Sequence, residues 1–302
     1  MEYKNLKSLK EHKAAIYALC QAEEEYLVFT AGSDRHVILW NLKTFTAEKV
    51  VAKAPTTIIS LLYIKEFNYL LIGQIEGGVH VIDLELGKEV KYLKQHKGYV
   101  FDLKYLTTKK ELVVSSGDGS ISIWSLPDFR MLYQQQLCEE KIRKMDLSTD
   151  ERSLALALGE GSIAILNTED WSENNRVINF SSAVNSVRFF PEEGAILAGE
   201  KNAHLYKVDM TTSVIEQDLA AHNWAIYDIR FSPSAKFFAT ASRDKTVKIW
   251  DRSTMKVLKR FEGIKDQAHT HSVNVLLWSN FNNYLLSAGD DASLKVWQIS
   301  ED

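Results

Sequence analysis

The sequence predicts an all-β protein, a seven-bladed β-propeller with four antiparallel strands in each blade. Three observations lead to this fold class. One unit recurs seven times along the chain, each unit contains short runs that alternate outward and inward residues as strands do, and turn-forming clusters separate these runs. With 302 residues, 45% of them hydrophobic, the chain is long enough to bury a large core.

The recurring unit is defined by a β-branched anchor residue that returns at intervals of 42 residues and, before the last copy, of 47. Three residues after each anchor stands another apolar residue, so one supersecondary unit is repeated. The anchors are Ile16, Ile58, Val100, Ile142, Val184, Ile226 and Val273. The predicted units, together one propeller domain over 1–302, cover approximately residues 12–53, 54–95, 96–137, 138–179, 180–221, 222–268, and 269–302 with 1–11.

The third strand of each unit is marked by an acidic residue in the turn before it and by a large apolar residue six positions later. The runs SISIW at 120–124 and DKTVKIW at 244–250 alternate with the period of a strand. The acidic residues are Asp34, Glu76, Asp118, Glu160, Glu200, Asp244 and Asp291, and the apolar residues are Trp40, Ile82, Trp124, Leu166, Tyr206, Trp250 and Trp297.

The first residues of the chain are predicted to complete the last blade. Only QISED follows Trp297, so the seventh unit lacks its outer strand, whereas residues 3–10 (YKNLKSLK) precede the first unit. Pairing of these two segments would close the ring and leave no blade that needs a cap.

These residues resemble the WD-repeat propeller family over essentially the whole chain, and the best match is the sixth unit, AHNWAIYDIRFSPSAKFFATASRDKTVKIWD. The resemblance implies a buried structural tetrad of His, Ser or Thr, the turn Asp and the Trp. A carboxylate can orient a His whose other nitrogen pairs with the hydroxyl, while the indole covers the network. Carried over, the tetrads are His12, Thr30, Asp34, Trp40; His96, Ser115, Asp118, Trp124; His222, Thr240, Asp244, Trp250; and His269, Ser287, Asp291, Trp297.

The second, fourth and fifth units depart from this pattern. They place Ala54, Cys138 and Phe180 where the His would stand, carry Glu in the turn and lack the Trp. The Gly that usually precedes the His is absent throughout, and only Trp250 is followed by Asp. The fold prediction holds despite these departures, whereas the tetrad gives no basis for predicting the internal stiffness of these three blades.

Catalysis is not predicted, although Ser or Thr, His and Asp also form hydrolase triads. A catalytic site is assembled once, whereas this cluster recurs four times in equivalent positions, as a structural requirement does. His269 and His271 could ligate a metal, but His269 belongs to a tetrad and no third ligand has suitable spacing. We predict no catalytic residues, no metal and no cofactor.

Composition restricts the class of protein further. The formal net charge is −4, which argues against direct DNA binding, because nucleic-acid binders normally show a basic excess. No apolar run is long enough to span a bilayer, and the N-terminus is charged where a signal peptide would be apolar. Two cysteines, Cys20 and Cys138, suit a reducing compartment. These features predict a cytoplasmic protein with no membrane association.

The resemblance also implies a binding face, formed by the loops that enter each first strand and by the turns between the second and third strands. The residue after each anchor would line its centre: Tyr17, Ile59, Phe101, Arg143, Asn185, Tyr227 and Asn274. Aromatic residues and Arg carry most binding energy in protein interfaces. The predicted partner-binding residues are Tyr17, Tyr99, Phe101, Lys141, Arg143, Trp224, Tyr227 and Arg243.

The favoured function is a non-catalytic scaffold that docks peptides or protein loops on this aromatic face. The expected state is a monomeric propeller within a larger complex whose partners are other proteins or peptides. Two alternatives remain open: an adaptor subunit of a nucleic-acid-processing or ubiquitin-transfer complex that could contact RNA, and a propeller enzyme. The fold cannot choose among them, because one architecture hosts many functions.

Overall fold

The computed structural model describes residues 2–299. The chain divides into two compact units, the first formed by residues 1–65 and 227–302 and the second by residues 66–226. One continuous propeller domain over residues 1–302 stays a prediction. Among the described residues, no helix has the length and apolar composition that crossing a membrane requires.

Twenty-eight strands and two short 3-10 turns, Lys65–Phe67 and Phe281–Asn283, make up the described chain. The strands that precede residue 138 are β1 Tyr3–Leu9, β2 Ile16–Gln21, β3 Leu27–Gly32, β4 His36–Asn41, β5 Thr46–Lys53, β6 Ile58–Ile64, β7 Tyr69–Gln74, β8 Gly78–Asp83, β9 Lys88–Lys94, β10 Val100–Leu106, β11 Glu111–Ser116, β12 Ser120–Ser125 and β13 Arg130–Gln136.

The remaining strands are β14 Ile142–Leu147, β15 Ser153–Leu158, β16 Ser162–Asn167, β17 Glu173–Val177, β18 Val184–Phe190, β19 Ala195–Glu200, β20 His204–Asp209, β21 Ile215–Ala220, β22 Ile226–Phe231, β23 Phe237–Ser242, β24 Val247–Asp251, β25 Val257–Phe261, β26 Val273–Trp278, β27 Leu285–Gly289 and β28 Leu294–Ile299.

These strands form seven four-stranded sheets, and six of them contain four consecutive strands, from β2-β3-β4-β5 to β22-β23-β24-β25. The seventh has the order β1-β28-β27-β26. In it β1 pairs antiparallel with β28, Tyr3 opposite Ile299 and Leu9 opposite Leu294. The predicted fold class, a seven-bladed β-propeller of four-stranded antiparallel blades closed by the N-terminal strand, is confirmed.

The backbone of the turns repeats with the period of the sequence. In the turn between the second and third strands of each blade, one residue has positive φ: Arg35, Gly77, Gly119, Gly161, Ala203, Lys245 and Ala292. A second series occupies the turn between the third and fourth strands: Phe45, Gly87, Phe129, Trp171, Ser213 and Met255. The left-handed conformation is unfavourable for bulky residues, so contacts of the side chain must offset its cost.

Aromatic side chains in the second series make such contacts. In the second compact unit, the ring of Phe129 lies 5.9 Å from the ring of Tyr69, and Trp171 is buried in a core cluster with Leu106 and Leu154. In the first unit Phe45 lies 6.1 Å from Tyr284. The seven β-branched anchors are buried as well, since none is more than 1% exposed. The repeat therefore specifies both the turns and the core of each unit.

Candidate functional site

A directed hydrogen-bond chain links four side chains of the first blade. The Trp40 indole N–H donates to Thr30 Oγ1 over 2.7 Å, and Thr30 Oγ1 lies 2.6 Å from His12 Nε2. An ionised carboxylate only accepts, so His12 Nδ1 donates to Asp34 over 2.8 Å, and Nε2 of the neutral imidazole then accepts the proton of the Thr30 hydroxyl. The network joins the loop before β2 to β3 and β4.

The seventh blade contains the same chain. The Trp297 indole donates to Ser287 Oγ over 2.7 Å, Ser287 pairs with His269 Nε2 over 2.8 Å, and His269 Nδ1 donates to Asp291 over 3.0 Å. Ser293 also donates to Asp291 over 2.6 Å, a contribution that sequence reasoning missed. The hydroxyls of Ser120 and Thr246 make the same bond, at 2.6 Å, to the acids two residues before them.

Burial controls the protonation of these networks. It lowers the pKa of His12 and of His269 despite the opposing influence of the adjacent carboxylates. Burial alone would raise the pKa of Asp34, but hydrogen bonds from the Lys13 amide and from His12 outweigh it, and the pKa is lowered. These directions favour a neutral imidazole beside an ionised carboxylate.

The third blade corrects one predicted tetrad member, because Ser122 rather than Ser115 supplies the hydroxyl. The Trp124 indole donates to Ser122 Oγ over 2.8 Å, and Ser122 pairs with His96 Nε2 over 2.8 Å. Ser115 instead reaches the backbone carbonyl of Asp102 at 3.4 Å. His96 Nδ1 lies 3.0 Å from Ser120 Oγ and 3.4 Å from Asp118.

The physical reason is strand register. Ser115 stands one residue out of register with Thr30, Thr240 and Ser287, and a shift of one residue moves a strand side chain to the opposite face of the sheet. The residue in register is Val114, which pairs across the ladder with Ser122. In the first blade Thr30 occupies the second strand, opposite Ile38 in the third. The hydroxyl has thus changed places with an aliphatic residue across one strand pair.

The sixth blade shows part of its predicted tetrad. Trp250 donates to Thr240 Oγ1 over 2.9 Å, and Asp244 accepts from Thr246. His222, which lies in the other compact unit, is buried and donates its backbone N–H to Ala203. The role of His222 in a tetrad stays a prediction.

The fifth blade replaces the tetrad with a different buried network that the sequence did not reveal. Glu200 is buried and accepts hydrogen bonds from the Ser181 hydroxyl at 3.1 Å and 3.0 Å, from the Ser182 amide and from the Tyr206 hydroxyl. Phe180 packs edge-on against Tyr206 at 5.1 Å. A longer carboxylate with a tyrosine thus joins loop to strands without His or Trp.

On the predicted binding face, the residue after the anchor is the extra residue of a β-bulge. Val100 pairs with Ser116 and Asp102 with Ser115, which leaves Phe101 without a place in the ladder. The same shift occurs at Tyr17, Arg143, Asn185 and Asn274. A β-bulge changes the direction of a side chain and is common next to functional sites. Because the extra residue has no partner in the ladder, strand pairing does not restrict its residue type. This explains why the anchors keep one character while their successors differ.

A second repeated contact joins the elements that were predicted to form this face. At five of the anchors, the residue immediately before the anchor accepts, through its backbone carbonyl, the amide of a residue in the turn between the second and third strands. In the second compact unit, the backbone N–H of Gly117 donates to the carbonyl of Tyr99 over 2.8 Å. The N–H of Gly159 donates in the same way to Lys141 over 2.8 Å, and that of Lys201 to Ala183 over 2.9 Å. The loops that enter the first strands therefore lie beside these turns.

In the second compact unit, residues 66–226, four of the predicted residues lie together and form what we call the aromatic–cationic patch: Tyr99, Phe101, Lys141 and Arg143. The rings of Tyr99 and Phe101 are 5.5 Å apart, and the Arg143 guanidinium lies 5.7 Å from the Phe101 ring. Tyr99 is 48% exposed. A Cβ on Gly117 would stand 3.2 Å from the Phe101 ring, so the missing side chain makes room for it. Sequence reasoning did not single out Gly117.

A carboxylate joins the two strands that carry Phe101 and Arg143. Asp102, adjacent to Phe101, accepts the amide of Met145 over 2.9 Å and so ties β10 to β14, the strand that carries Arg143. Burial opposes ionisation of Asp102, but the charges of Lys104 and Lys144 and the Met145 amide together lower its pKa. An ionised Asp102 thus links the strand that carries the ring to the strand that carries the guanidinium.

Two of the four residues of the patch, Lys141 and Arg143, are cationic. Burial is the largest cause that lowers the pKa of Lys141, the charges of Arg143 and Lys201 lower it further, and Glu140 opposes the shift. Lys201 belongs to this cationic group although it was not predicted. An anionic or carbonyl-rich ligand is the chemistry that suits the patch.

The other predicted face residues are not assembled into a described site. Tyr17 and Tyr227 are half-buried and Arg243 is exposed, all in the first unit, while Trp224 is exposed in the second. Their participation in partner binding stays a prediction. Within residues 2–299, no three His, Cys, Asp or Glu side chains are grouped so that they could hold a metal ion.

Comparison with known proteins gives consistent matches. The family model described as WD domain, G-beta repeat matches residues 3–41, 87–125, 213–251 and 258–298. WD repeat-containing protein 55 of Homo sapiens is 20% identical over 258 residues, 85% of this chain and 67% of that protein. The Striatin homolog of Dictyostelium discoideum is 21% identical over 338 residues, 96% of this chain and 40% of that protein. The Serine-threonine kinase receptor-associated protein of Gallus gallus is 21% identical over 252 residues, 81% of this chain and 69% of that protein.

Proposed function

Since this chain belongs to the WD-repeat family, we propose that it is a non-catalytic protein-interaction scaffold and that the aromatic–cationic patch docks a segment of its partner. The observation that carries the proposal is the bulge register. It takes Phe101 and Arg143 out of their ladders at equivalent positions of neighbouring blades and holds them 5.7 Å apart. Recognition side chains on a rigid sheet need little ordering when a ligand binds.

The chemistry of the patch favours a particular kind of segment. Tyr99 and Phe101 offer an aromatic surface for an apolar side chain, and Lys141 and Arg143 offer charge-assisted hydrogen bonds to a carboxylate or to backbone carbonyls. We propose that the partner presents an acidic residue next to an apolar one. No observation specifically favours the two alternatives, an adaptor in nucleic-acid processing or ubiquitin transfer and a propeller enzyme.

The test is affinity purification of the tagged chain from its native cells, with quantitative identification of the proteins that accompany it. Three forms are compared: the unaltered chain, Phe101→Ala with Arg143→Glu, and the matched control Arg152→Glu. Arg152 lies at the turn of the same β14–β15 hairpin, away from the bulge, and is exposed. The proposal expects specific partners to be lost from the double variant and retained by the control.

Titration with a recovered partner then measures each contribution. At a true hot spot, Phe101→Ala or Arg143→Glu should weaken binding by about 2 kcal/mol, about 30-fold. Binding of the partner to the unaltered chain should also weaken as the salt concentration rises, because the proposed contact includes charges that are partly exposed. An unchanged partner set and affinity in the double variant, with its fold intact, would move the docking site away from this patch.

A further inference from the structure

Lys141 differs in its surroundings from other lysines of its compact unit. Four of those lysines form ion pairs: Lys104 with Asp146 at 3.6 Å, Lys109 with Glu169 at 3.4 Å, Lys110 with Glu66, and Lys207 with Glu193 at 3.1 Å. In the part of the chain that the structure describes, the Lys141 ammonium takes part in no ion pair and donates no hydrogen bond. Its side chain is half-buried. The aromatic–cationic patch therefore contains an amine that is partly accessible and not bound by an acid.

A glycine leaves the space that the Lys141 side chain occupies. A Cβ on Gly159 would stand 3.1 Å from the backbone oxygen of Lys141 and 3.2 Å from its Cγ, closer than side chains normally pack. Gly159 also donates its backbone N–H to that oxygen over 2.8 Å. Gly117 makes room in the same way for the ring of Phe101, one blade earlier. Glycines in neighbouring turns thus leave space for one ring and one amine of the patch.

The surroundings of Lys141 also favour its reactive form. Burial first, and then the neighbouring cations, lower its pKa, so a larger fraction of the amine is uncharged near neutral pH. Burial and adjacent cations are means by which proteins make a lysine nucleophilic. Lys248, in the first compact unit, offers a comparison, because it is half-buried and because burial and the charge of Arg260 lower its pKa too. Lys248 lies 5.9 Å from the buried ring of Trp250, whereas the patch of Lys141 includes the exposed ring of Tyr99.

We propose that Lys141 is a site of acylation by acyl-coenzyme A, which the aromatic–cationic patch recruits without the help of another protein. Coenzyme A carries an adenine ring and several phosphate groups. The rings of Tyr99 and Phe101, 5.5 Å apart, offer a stacking surface for the adenine, and Arg143 and Lys201 offer charge-assisted hydrogen bonds to the phosphates. A thioester held beside an amine reacts at a raised effective concentration.

The reaction needs no group beyond the donor and the amine. The uncharged nitrogen of Lys141 attacks the carbonyl carbon of the thioester, a C–N bond forms, and the C–S bond breaks. Coenzyme A leaves as a thiolate and takes up the proton that the nitrogen loses. The product is a neutral amide, so the patch loses one of its cations. Weaker docking of an acidic partner segment is the expected consequence, and this consequence rests on the proposed function, whereas the acylation itself does not.

Initial rates of acetylation at Lys141 and Lys248, measured by mass-spectrometric peptide mapping of the purified chain, test the inference. One reaction uses acetyl-coenzyme A, and the other uses S-acetyl-N-acetylcysteamine, which carries the same thioester without adenine or phosphates. We expect the ratio of the Lys141 rate to the Lys248 rate to be at least about tenfold higher with acetyl-coenzyme A than with the truncated donor. An excess of free coenzyme A should abolish this difference. An equal ratio with both donors would show reactivity without recruitment and would overturn the proposal.

Variants identify the residues that recruit the donor. Phe101→Ala and Arg143→Gln should each lower the ratio measured with acetyl-coenzyme A toward that of the truncated donor. The comparison of donors corrects for any change that Arg143→Gln causes in the intrinsic reactivity of Lys141. The matched control Arg152→Gln, at an exposed position outside the patch, should keep the full ratio. Thermal melts verify that each variant folds. A ratio that survives both patch variants would place recruitment elsewhere and contradict the inference.

The docking consequence is measured separately, by titration of Lys141→Gln, which copies the neutral amide, with a recovered partner. Weakened binding is expected. Donor-dependent acylation together with unchanged binding of Lys141→Gln would uphold the acylation site and contradict its effect on docking. No donor-dependent acylation of Lys141 would overturn the inference and leave the docking proposal standing.

Discussion

Replacement of the third blade's two serines provides a direct test of which hydroxyl completes its tetrad. Ser115 and Ser122 are both fully buried strand residues of one sheet, so Ser→Ala changes the same atoms in each. Ser122→Ala leaves the Trp124 indole N–H and His96 Nε2 without partners at 2.8 Å. At about 1–3 kcal/mol for each of these two unpaired buried groups, the substitution should cost roughly 2–6 kcal/mol of unfolding free energy.

Ser115→Ala removes only a contact of 3.4 Å to a carbonyl, beyond the usual range for a hydroxyl donor, and should cost about 1 kcal/mol or less. Guanidinium unfolding of both variants measures the difference, and the indole N–H resonance of Trp124 should move only in Ser122→Ala. Val114→Thr combined with Ser122→Ile copies the arrangement of Thr30 and Ile38 and should recover part of the loss. A larger loss in Ser115→Ala would refute the register argument.

Three further predictions concern stability. Because burial lowers the pKa of His12 and His269, the unfolded chain binds protons at higher pH than the folded chain. The unfolding free energy, measured by denaturant titration, should therefore be highest above about pH 6.5 and should decrease as the pH falls below this value. An unfolding free energy at about pH 5.5 equal to that at about pH 7.5 would contradict this prediction. Trp171→Ala should cost roughly 3–5 kcal/mol in thermal or chemical unfolding, because the ring is buried, whereas Ala at the exposed Trp224 should cost under about 1 kcal/mol. Deletion of residues 1–10 removes β1 from β28 and should lower the melting temperature and promote association in light scattering, and an equally stable monomer would refute closure by this strand.

The sequence was sufficient to predict the fold, because the same repeat determines which residues are buried and which backbone conformation each turn adopts. The anchors at Ile16 and its successors are buried as predicted, and residues 3–9 pair with β28 as predicted. Hydrophobic period, turn residues and the missing outer strand all indicate the same architecture. Agreement among these separate signals left little freedom for a different topology.

The interactions within blades were harder to predict, because a hydroxyl can stand on either of two paired strands. Ser115 and Ser122 both satisfy the residue types that a tetrad needs, and only their register separates them. The network at Glu200 had no recognisable pattern, since Tyr206 occupies a position where other blades use Trp. Neighbouring strands must be assembled before such pairs become visible.

For the binding face, the sequence predicted residues but not their grouping. The bulge that frees Phe101 and Arg143 from their ladders has no signature other than the position after the anchor. The Asp102 carboxylate joins their strands, β10 and β14, through a hydrogen bond to a residue 43 positions away. Gly117 and Lys201 entered the site only through contacts across turns.

Photo-cross-linking from position 99 in native cells tests the proposed docking site most directly. Tyr99, exposed beside Phe101, is replaced by a photoreactive phenylalanine derivative, and the exposed Leu86, in a turn of the same unit outside the patch, receives the same group as a control. The account predicts a partner protein captured from position 99 and not from 86, through a segment that contains an acidic residue, with capture lost on Arg143→Glu. Capture from position 86 alone, or from 99 without any effect of Arg143→Glu, would contradict it.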